Sequence, residues 1–260
     1  MIHKLDFHIN DLELMKKYPK DLFYKGNTKL LKEKKIAVVG SRKPNKYARE
    51  LTTKLVARLA DSGVCIVSGG AIGVDAIAHK AAGAKKTIMV AATGLDKRYP
   101  AINKNLIREI ENEGLVLSQF NAGTPSTRYN FVLRNELIVA LGEVLIVAYA
   151  DESSGTMRSV AYALEMGKKI YVLPHRVGES QGTNRLLMEK NAEAIYDIDH
   201  FVSQFCGVEL KLEKSNDPFF DFCQQYPNYN DVYAKFPNRL FEEELLGNIS
   251  VKNGMITVLT

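Results

Sequence analysis

Ile36-Ala37-Val38-Val39 runs straight into Gly40-Ser41-Arg42. An uninterrupted, largely β-branched apolar run suits a central strand of a parallel sheet covered by helices on both faces. Tyr47, Leu51, Leu55, Val56 and Leu59 then recur at helical spacing up to Gly63, so a helix opens just after the loop. Strand, tight loop and helix N-terminus aim backbone amides and a positive helix end at one spot, an arrangement that receives an anion.

The loop argues against the commonest anions. A dinucleotide fold asks for Gly-x-Gly-x-x-Gly, whereas Arg42 and Asn45 stand at the second and third glycine positions. The second strand, Val64 to Val67, is followed by Ser68 and not by the acid that would hold a ribose, so NAD is not expected. No Gly-Lys-Ser/Thr is present to support a P-loop NTPase. A guanidinium beside backbone donors suits a single phosphate, such as one of a nucleic-acid backbone. The other reading of Arg42 is an ion pair with a carboxylate across the loop, and the loop alone does not choose between them.

The chain has 260 residues, enough for one large α/β domain and a small one, and its 46% hydrophobic and 25% charged content is that of a globular protein. Apolar runs are too short to cross a bilayer, and Met1 to Asn10 carries no signal-peptide core. Cys65, Cys206 and Cys223 are dispersed and odd in number, without metal spacing. A reducing, cytoplasmic location is expected, with no membrane association, disulfide framework, metal or other cofactor. The net charge of +5 is uneven: from Asn216 onward six acids face three bases, so residues 1–215 carry +8. A polyanion would meet the first part of the chain, unless its lysines are scattered without forming a patch.

Strands are expected at 36–39, 64–67, 87–91, 115–118, 144–148, 170–173 and 194–196. Helices are expected at 47–62, 74–82, 131–141, 157–166 and 184–190, and another is capped by Asn103 with Leu106, Ile107 and Ile110 inward. A short apolar stretch around Leu22-Phe23-Tyr24 adds an edge strand or strap. This alternation is that of a doubly wound parallel sheet, in which ligands sit beyond the carboxyl ends of the strands. Two further loops there are tight and polar: Ser68-Gly69-Gly70-Ala71-Ile72-Gly73 and Asp151-Glu152-Ser153-Ser154-Gly155-Thr156. Three loops at one edge thus offer backbone amides and hydroxyls, although turns in such folds are glycine-rich for steric reasons as well.

The most unusual loop, Gly123 to Glu136, interleaves Arg128, Tyr129, Asn130, Phe131, Arg134 and Asn135. Aromatic faces stack bases and arginines hold phosphates, a composition suited to single-stranded nucleic acid. A core position is the simpler reading for Phe131, whereas for Arg134 the phosphate contact is preferred over a helix-face ion pair.

Val39-Gly40-Ser41-Arg42, Ser68-Gly69-x-Ala71-x-Gly73-x-Asp75-x-x-x-His79, Gly94-Leu95-Asp96-x-x-Tyr99-Pro100, Gly123-Thr124-Pro125, Asn130-Phe131-x-x-Arg134-Asn135, Ser154-Gly155-Thr156 and Gly182-x-Asn184-x-Leu186-Leu187 closely resemble the bacterial DNA-processing protein A (DprA, or Smf) family. The match runs in order from Tyr18 to Tyr196. The resemblance implies an extended Rossmann-like domain that binds single-stranded DNA, protects incoming strands in natural transformation and helps load the RecA recombinase, usually as a homodimer. It places the phosphate-contacting arginine on Arg42 and the aromatic-amide-arginine segment on Asn130, Phe131, Arg134 and Asn135. With the loop residues Ser41, Lys43, Gly69, Gly70, Arg128, Ser154, Gly155 and Thr156, these form the expected DNA-binding set. Departures are Gly70-Ala71-Ile72-Gly73 where the family often has Leu-Ala-Arg-Gly, which removes one cation, and Pro174-His175 where Pro-Gly is usual. The expected division is an N-terminal strap 1–35, a Rossmann-like domain 36–206, a charged linker 207–216 and a winged-helix-like domain 217–260.

In the tail, three apolar helical stretches precede Val251-Lys252-Asn253-Gly254-Met255-Ile256, a hairpin signal with a type I′ turn. Three helices and a hairpin make a small winged helix. A DNA-reading version would carry bases on its third helix, where this chain has Glu242, Glu243 and Glu244, so a protein-contact or regulatory role is expected. An enzyme is the alternative. Asp75 and His79 lie at i and i+4 and could pass for an acid/base pair, though a local hydrogen bond holding the helix to its loop is preferred. Phosphoribohydrolases of similar fold use Gly-Gly-x-Gly-Thr-x-x-Glu, whereas Gly155-Thr156 is followed here by Met157-Arg158-Ser159, which leaves a serine at the carboxylate position.

Overall fold

The structure, a computed structural model, describes residues 1–207 and 217–259. The charged part of the expected linker, Glu209 to Lys214, lies outside the described residues. The chain divides into two units, Met1–Val208 and Glu209–Thr260.

In the first unit the chain runs β1 (His3–Lys4), β2 (Phe23–Gly26), β3 (Lys35–Val39), α1 (Lys46–Asp61), β4 (Cys65–Ser68), α2 (Val74–Ala82), β5 (Thr87–Val90), α3 (Lys104–Glu113) and β6 (Leu115–Ser118). It continues through α4 (Arg128–Leu141), β7 (Val144–Val147), α5 (Thr156–Glu165), β8 (Ile170–Val172), α6 (Gln181–Met188), β9 (Glu193–Ala194) and α7 (Ile198–Cys206). Nine strands form one sheet in the order β1-β2-β6-β5-β4-β3-β7-β8-β9. From β3 onward every pairing is parallel, while β2 is antiparallel to β6 and β1 to β2. This is the doubly wound, Rossmann-like sheet that the alternation required, with the predicted edge strand at 23–26 and one more strand outside it.

The unbroken apolar strands are explained by layers on both faces. Ala37 and Val39 point into a cluster with Leu137, Val160 and Leu186, whereas Ile36 and Val38 point into one with Leu55, Leu59 and Phe201. Alternate residues of one strand thus serve opposite layers. The N-terminal segment belongs to the first layer: Leu12 and Met15 are buried there, and the Lys16 amide donates to Glu136 Oε1 at 2.8 Å, tying the segment to α4.

Three features differ from expectation for local reasons. Helix α4 starts at Arg128, because the Thr127 hydroxyl accepts from the Asn130 amide at 3.1 Å and caps it there. Asn103 does not cap α3 with its side chain, which instead donates to the Gly70 carbonyl at 2.9 Å. Helix α7 was not expected, although Ile198, Phe201, Val202 and Phe205 have helical spacing and pack on the second layer.

The second unit contains α8 (Pro218–Gln225), α9 (Tyr229–Lys235), α10 (Pro237–Leu245) and the hairpin β10 (Ile249–Lys252) and β11 (Met255–Val258). Phe219, Cys223, Val232, Leu240, Ile249 and Ile256 form its core, as in a small winged helix. Asn253 (φ 53°) and Gly254 (φ 74°) adopt the left-handed turn that the Asn-Gly pair foretold. Arg239, the single base of α10, pairs with Asp217 and Glu243, while Glu242 and Glu244 remain exposed.

Candidate nucleic-acid interface

The strand order reverses between β3 and β7, and a cavity of about 620 Å³ opens at their carboxyl ends. The β3–α1 loop supplies Ser41, Arg42 and Lys43; the β7–α5 loop and the first turns of α5 supply Ser154, Gly155, Thr156 and Arg158. Arg128, Phe131, Arg134 and Asn135 enter from the first two turns of α4.

Of the loop amides that the sequence reading expects at this site, some are spent on internal bonds. The Ser41 amide donates to the Tyr149 carbonyl at 2.7 Å and that of Lys43 to Ser41 Oγ at 3.1 Å. The Val74 amide donates to the Ser41 carbonyl at 3.1 Å. On the β7 side the amides of Ser154, Thr156, Met157 and Arg158 all bond within residues 151–158. The amides of Arg42, Ser153 and Gly155, by contrast, donate to no acceptor among the described residues, so the cavity offers open amides as well as cationic side chains.

Arg42, Lys43, Arg128 and Arg158 are exposed around the cavity, and none has a carboxylate within ion-pair distance among the described residues. The ion-pair reading of Arg42 is thereby set aside. Its guanidinium lies instead over the Phe131 ring, 5.4 Å from the centroid. Phe131 is half-buried at the cavity wall, neither a core residue nor a fully open ring.

Arg134 does different work from that expected of a phosphate contact. It is only 4% exposed, and one guanidinium nitrogen donates to the carbonyls of Gly69 and, at 2.7 Å, of Val90. It thus braces the ends of β4 and β5 beneath Phe131, whose centroid is 5.7 Å away. Burial pulls its pKa down to about 10 while Asp75 opposes the shift, so it remains cationic at neutral pH. Burial pushes the Asp75 carboxyl up, opposed by Arg134 and by the Ala71 amide donating at 3.3 Å. Asp75 and His79 are not an acid/base pair: His79 Nδ1 bonds Thr87 Oγ1 at 2.6 Å, and burial drives its pKa down to about 3.

Three expected site residues lie away from the cavity. Gly69 is buried under Arg134, and a Cβ there would come within 2.0 Å of a guanidinium nitrogen. Gly70, at φ +69°, packs against Met89. Asn130 is buried and donates to the Pro125 carbonyl at 2.9 Å, shaping the turn into α4. These residues build the site without lining it. Arg158 is the cation that the sequence reading does not single out; its position in the first turn of a helix after a carboxyl-end loop is the available signal.

Fold and site define a Rossmann-like protein whose switch point holds a cationic and aromatic groove in place of a dinucleotide cradle. Residues 3–206 match the family described as DNA recombination-mediator protein A, and the chain belongs to that family. It is 40% identical over 183 residues to the DNA processing protein DprA of Streptococcus pneumoniae, covering 69% of this chain and 64% of that protein. It is 30% identical over 239 residues to the protein Smf of Escherichia coli, covering 89% of this chain and 60% of that one. The chain therefore spans less than two thirds of the length of these curated relatives. Among solved structures, DNA processing protein A from Helicobacter pylori, described for its single-stranded DNA binding mode, superposes with a TM-score of 0.78 at 39% identity, covering 79% of this chain and 96% of that one.

Proposed function

We propose that the chain binds single-stranded DNA through the switch-point cavity and catalyses no reaction on it. One observation carries this reading: four exposed cations, without carboxylate partners among the described residues, line one cavity with a half-buried aromatic ring. Several separated cations suit the successive phosphates of a strand better than a single pyrophosphate, and the ring suits a base. The Helicobacter pylori relative's single-stranded DNA binding supports the same ligand. Ser159, at the wall of the cavity, stands where the Gly-Gly-x-Gly-Thr-x-x-Glu pattern of the phosphoribohydrolases has its glutamate.

The family relation extends the proposal. The protein protects incoming strands during natural transformation, helps load RecA recombinase onto them, and works as a cytoplasmic homodimer. Its acidic α10 serves a protein contact or regulation and not DNA reading.

Fluorescence anisotropy with labelled oligo-dT across salt, with an unlabelled duplex as competitor, tests the core of this reading. Engagement of all four cations gives a slope of log K against log salt near −3, from about 0.7 per phosphate neutralised. Arg42→Ala keeps the fold, lowers affinity by about 10- to 100-fold and shallows the slope by about 0.7. Intact binding by a folded Arg42→Ala protein would remove the role given to this loop, and release of ribose phosphate from AMP would make the cavity an enzyme's.

A further inference from the structure

We propose that Tyr99 is a second base-stacking platform, which carries the bound strand out of the cavity and over the β5–α3 loop. The inference rests on the single-stranded DNA reading above. Tyr99 lies in Gly94-Leu95-Asp96-x-x-Tyr99-Pro100, a motif that the cavity does not use. Its ring centroid is 6.0 Å from that of Phe131, with the planes tilted by 52°. The tilt keeps one base from lying flat on both rings, so they receive successive bases.

Of the two rings, Tyr99 is the more open. Phe131 has the guanidinium groups of Arg42 and Arg134 at 5.4 and 5.7 Å from its centroid, while Tyr99 is 45% exposed with no cation over it among the described residues. A tyrosine kept only for packing would turn its face inward.

The loop that presents Tyr99 is tied by hydrogen bonds to the segment that leads into α4. The Gly94 amide donates to the Thr124 carbonyl at 3.1 Å, and the Gly123 amide to Asp96 Oδ1 at 2.9 Å. Lys97 Nζ donates back to the Gly123 carbonyl at 2.6 Å. A Cβ on Gly94 would stand 2.4 Å from the Asn121 carbonyl oxygen, so glycine is what lets the two loops close. The backbone that carries Tyr99 is therefore in place before a strand arrives, which lowers the ordering cost of stacking.

Binding is measured with oligo-dT and with an abasic strand of the same length, for the wild type and for Tyr99→Ala, Tyr99→Leu and Tyr99→Phe, each checked for folding by its thermal melt. Tyr99→Ala and Tyr99→Leu are expected to weaken oligo-dT binding by about 5- to 150-fold, the equivalent of one lost stack, and Tyr99→Phe to restore it. The salt slope stays at its wild-type value because no phosphate contact is lost, in contrast to Arg42→Ala. On the abasic strand the penalty disappears. Wild-type affinity in Tyr99→Leu, or an equal penalty on the abasic strand, overturns the proposal while leaving the single-stranded DNA reading intact. A wild type that fails to bind oligo-dT at low salt overturns both.

Discussion

Replacing Gly69 by alanine tests whether Arg134 is a brace. Gly69 does not have a left-handed backbone, so alanine strains nothing locally. Its methyl group would instead sit 2.0 Å from one Arg134 nitrogen and 2.4 Å from Cζ. A guanidinium at the surface would step aside at little cost. This one is 4% exposed and bonded to the Gly69 and Val90 carbonyls, so moving it strands a buried charge. Stranding a buried charge costs about 3–5 kcal/mol, and at about 2–4 °C per kcal/mol for a domain of this size the melting temperature should fall by roughly 6–20 °C. Urea unfolding followed by far-ultraviolet circular dichroism gives the free energy directly. In an Arg134→Met background, where a flexible thioether can yield, Gly69→Ala should cost under about 1 kcal/mol, so the two effects are strongly non-additive. A cost under about 1 kcal/mol for Gly69→Ala alone, or additivity in the double variant, would refute the brace.

Two further outcomes can be checked on the same full chain. His79 is held near a pKa of 3 against an ordinary 6.5, so between these values the unfolded chain takes up a proton that the folded one refuses. Stability attributable to His79 is complete above pH 6.5 and falls as the pH drops, by up to about 1.4 kcal/mol per unit; Asp75, whose pKa is raised, acts with the opposite sign. The difference in urea stability between the wild type and His79→Gln should therefore shrink from pH 7 to pH 5, and a difference independent of pH would contradict the burial argument. In the second unit, Gly254→Val puts a β-branched residue at φ 74° and should destabilise the hairpin by about 1–2 kcal/mol, read as an earlier thermal transition of that unit; an unchanged transition would count against the type I′ turn.

Much of the architecture was written in periodicity. The runs at 36–39, 64–67, 87–91, 115–118 and 144–148 are almost wholly apolar because each strand is buried on both faces, and that pattern survives any detail of packing. Helix α7 escaped because only a few apolar residues mark it, close to the end of the domain. The site was legible as a set of loops but not as a division of labour. Arg42 and Arg134 look alike in sequence, yet one stands free over a ring and the other is sealed beneath it. What separates them is the position of Gly69 against α4, a tertiary contact across residues far apart in the chain. The same contact explains why a glycine expected to approach a ligand approaches an arginine instead. The loop amides already spent, those of Ser41 and Val74, were equally invisible, since their acceptors, Tyr149 and Ser41, come from other elements.

The adjacency of β3 and β7 also bears on when the groove comes into being. Arg42 and Lys43 are synthesised early, Arg158 much later, and they share a wall only after β7 has docked beside β3. Such non-local pairings form slowly compared with hairpins and helices. A nascent chain that has completed β3 through β6 has the first loop but not the groove. An assembled groove thus reports that the sheet has closed across its midline, and a partly folded chain lacks that cationic surface.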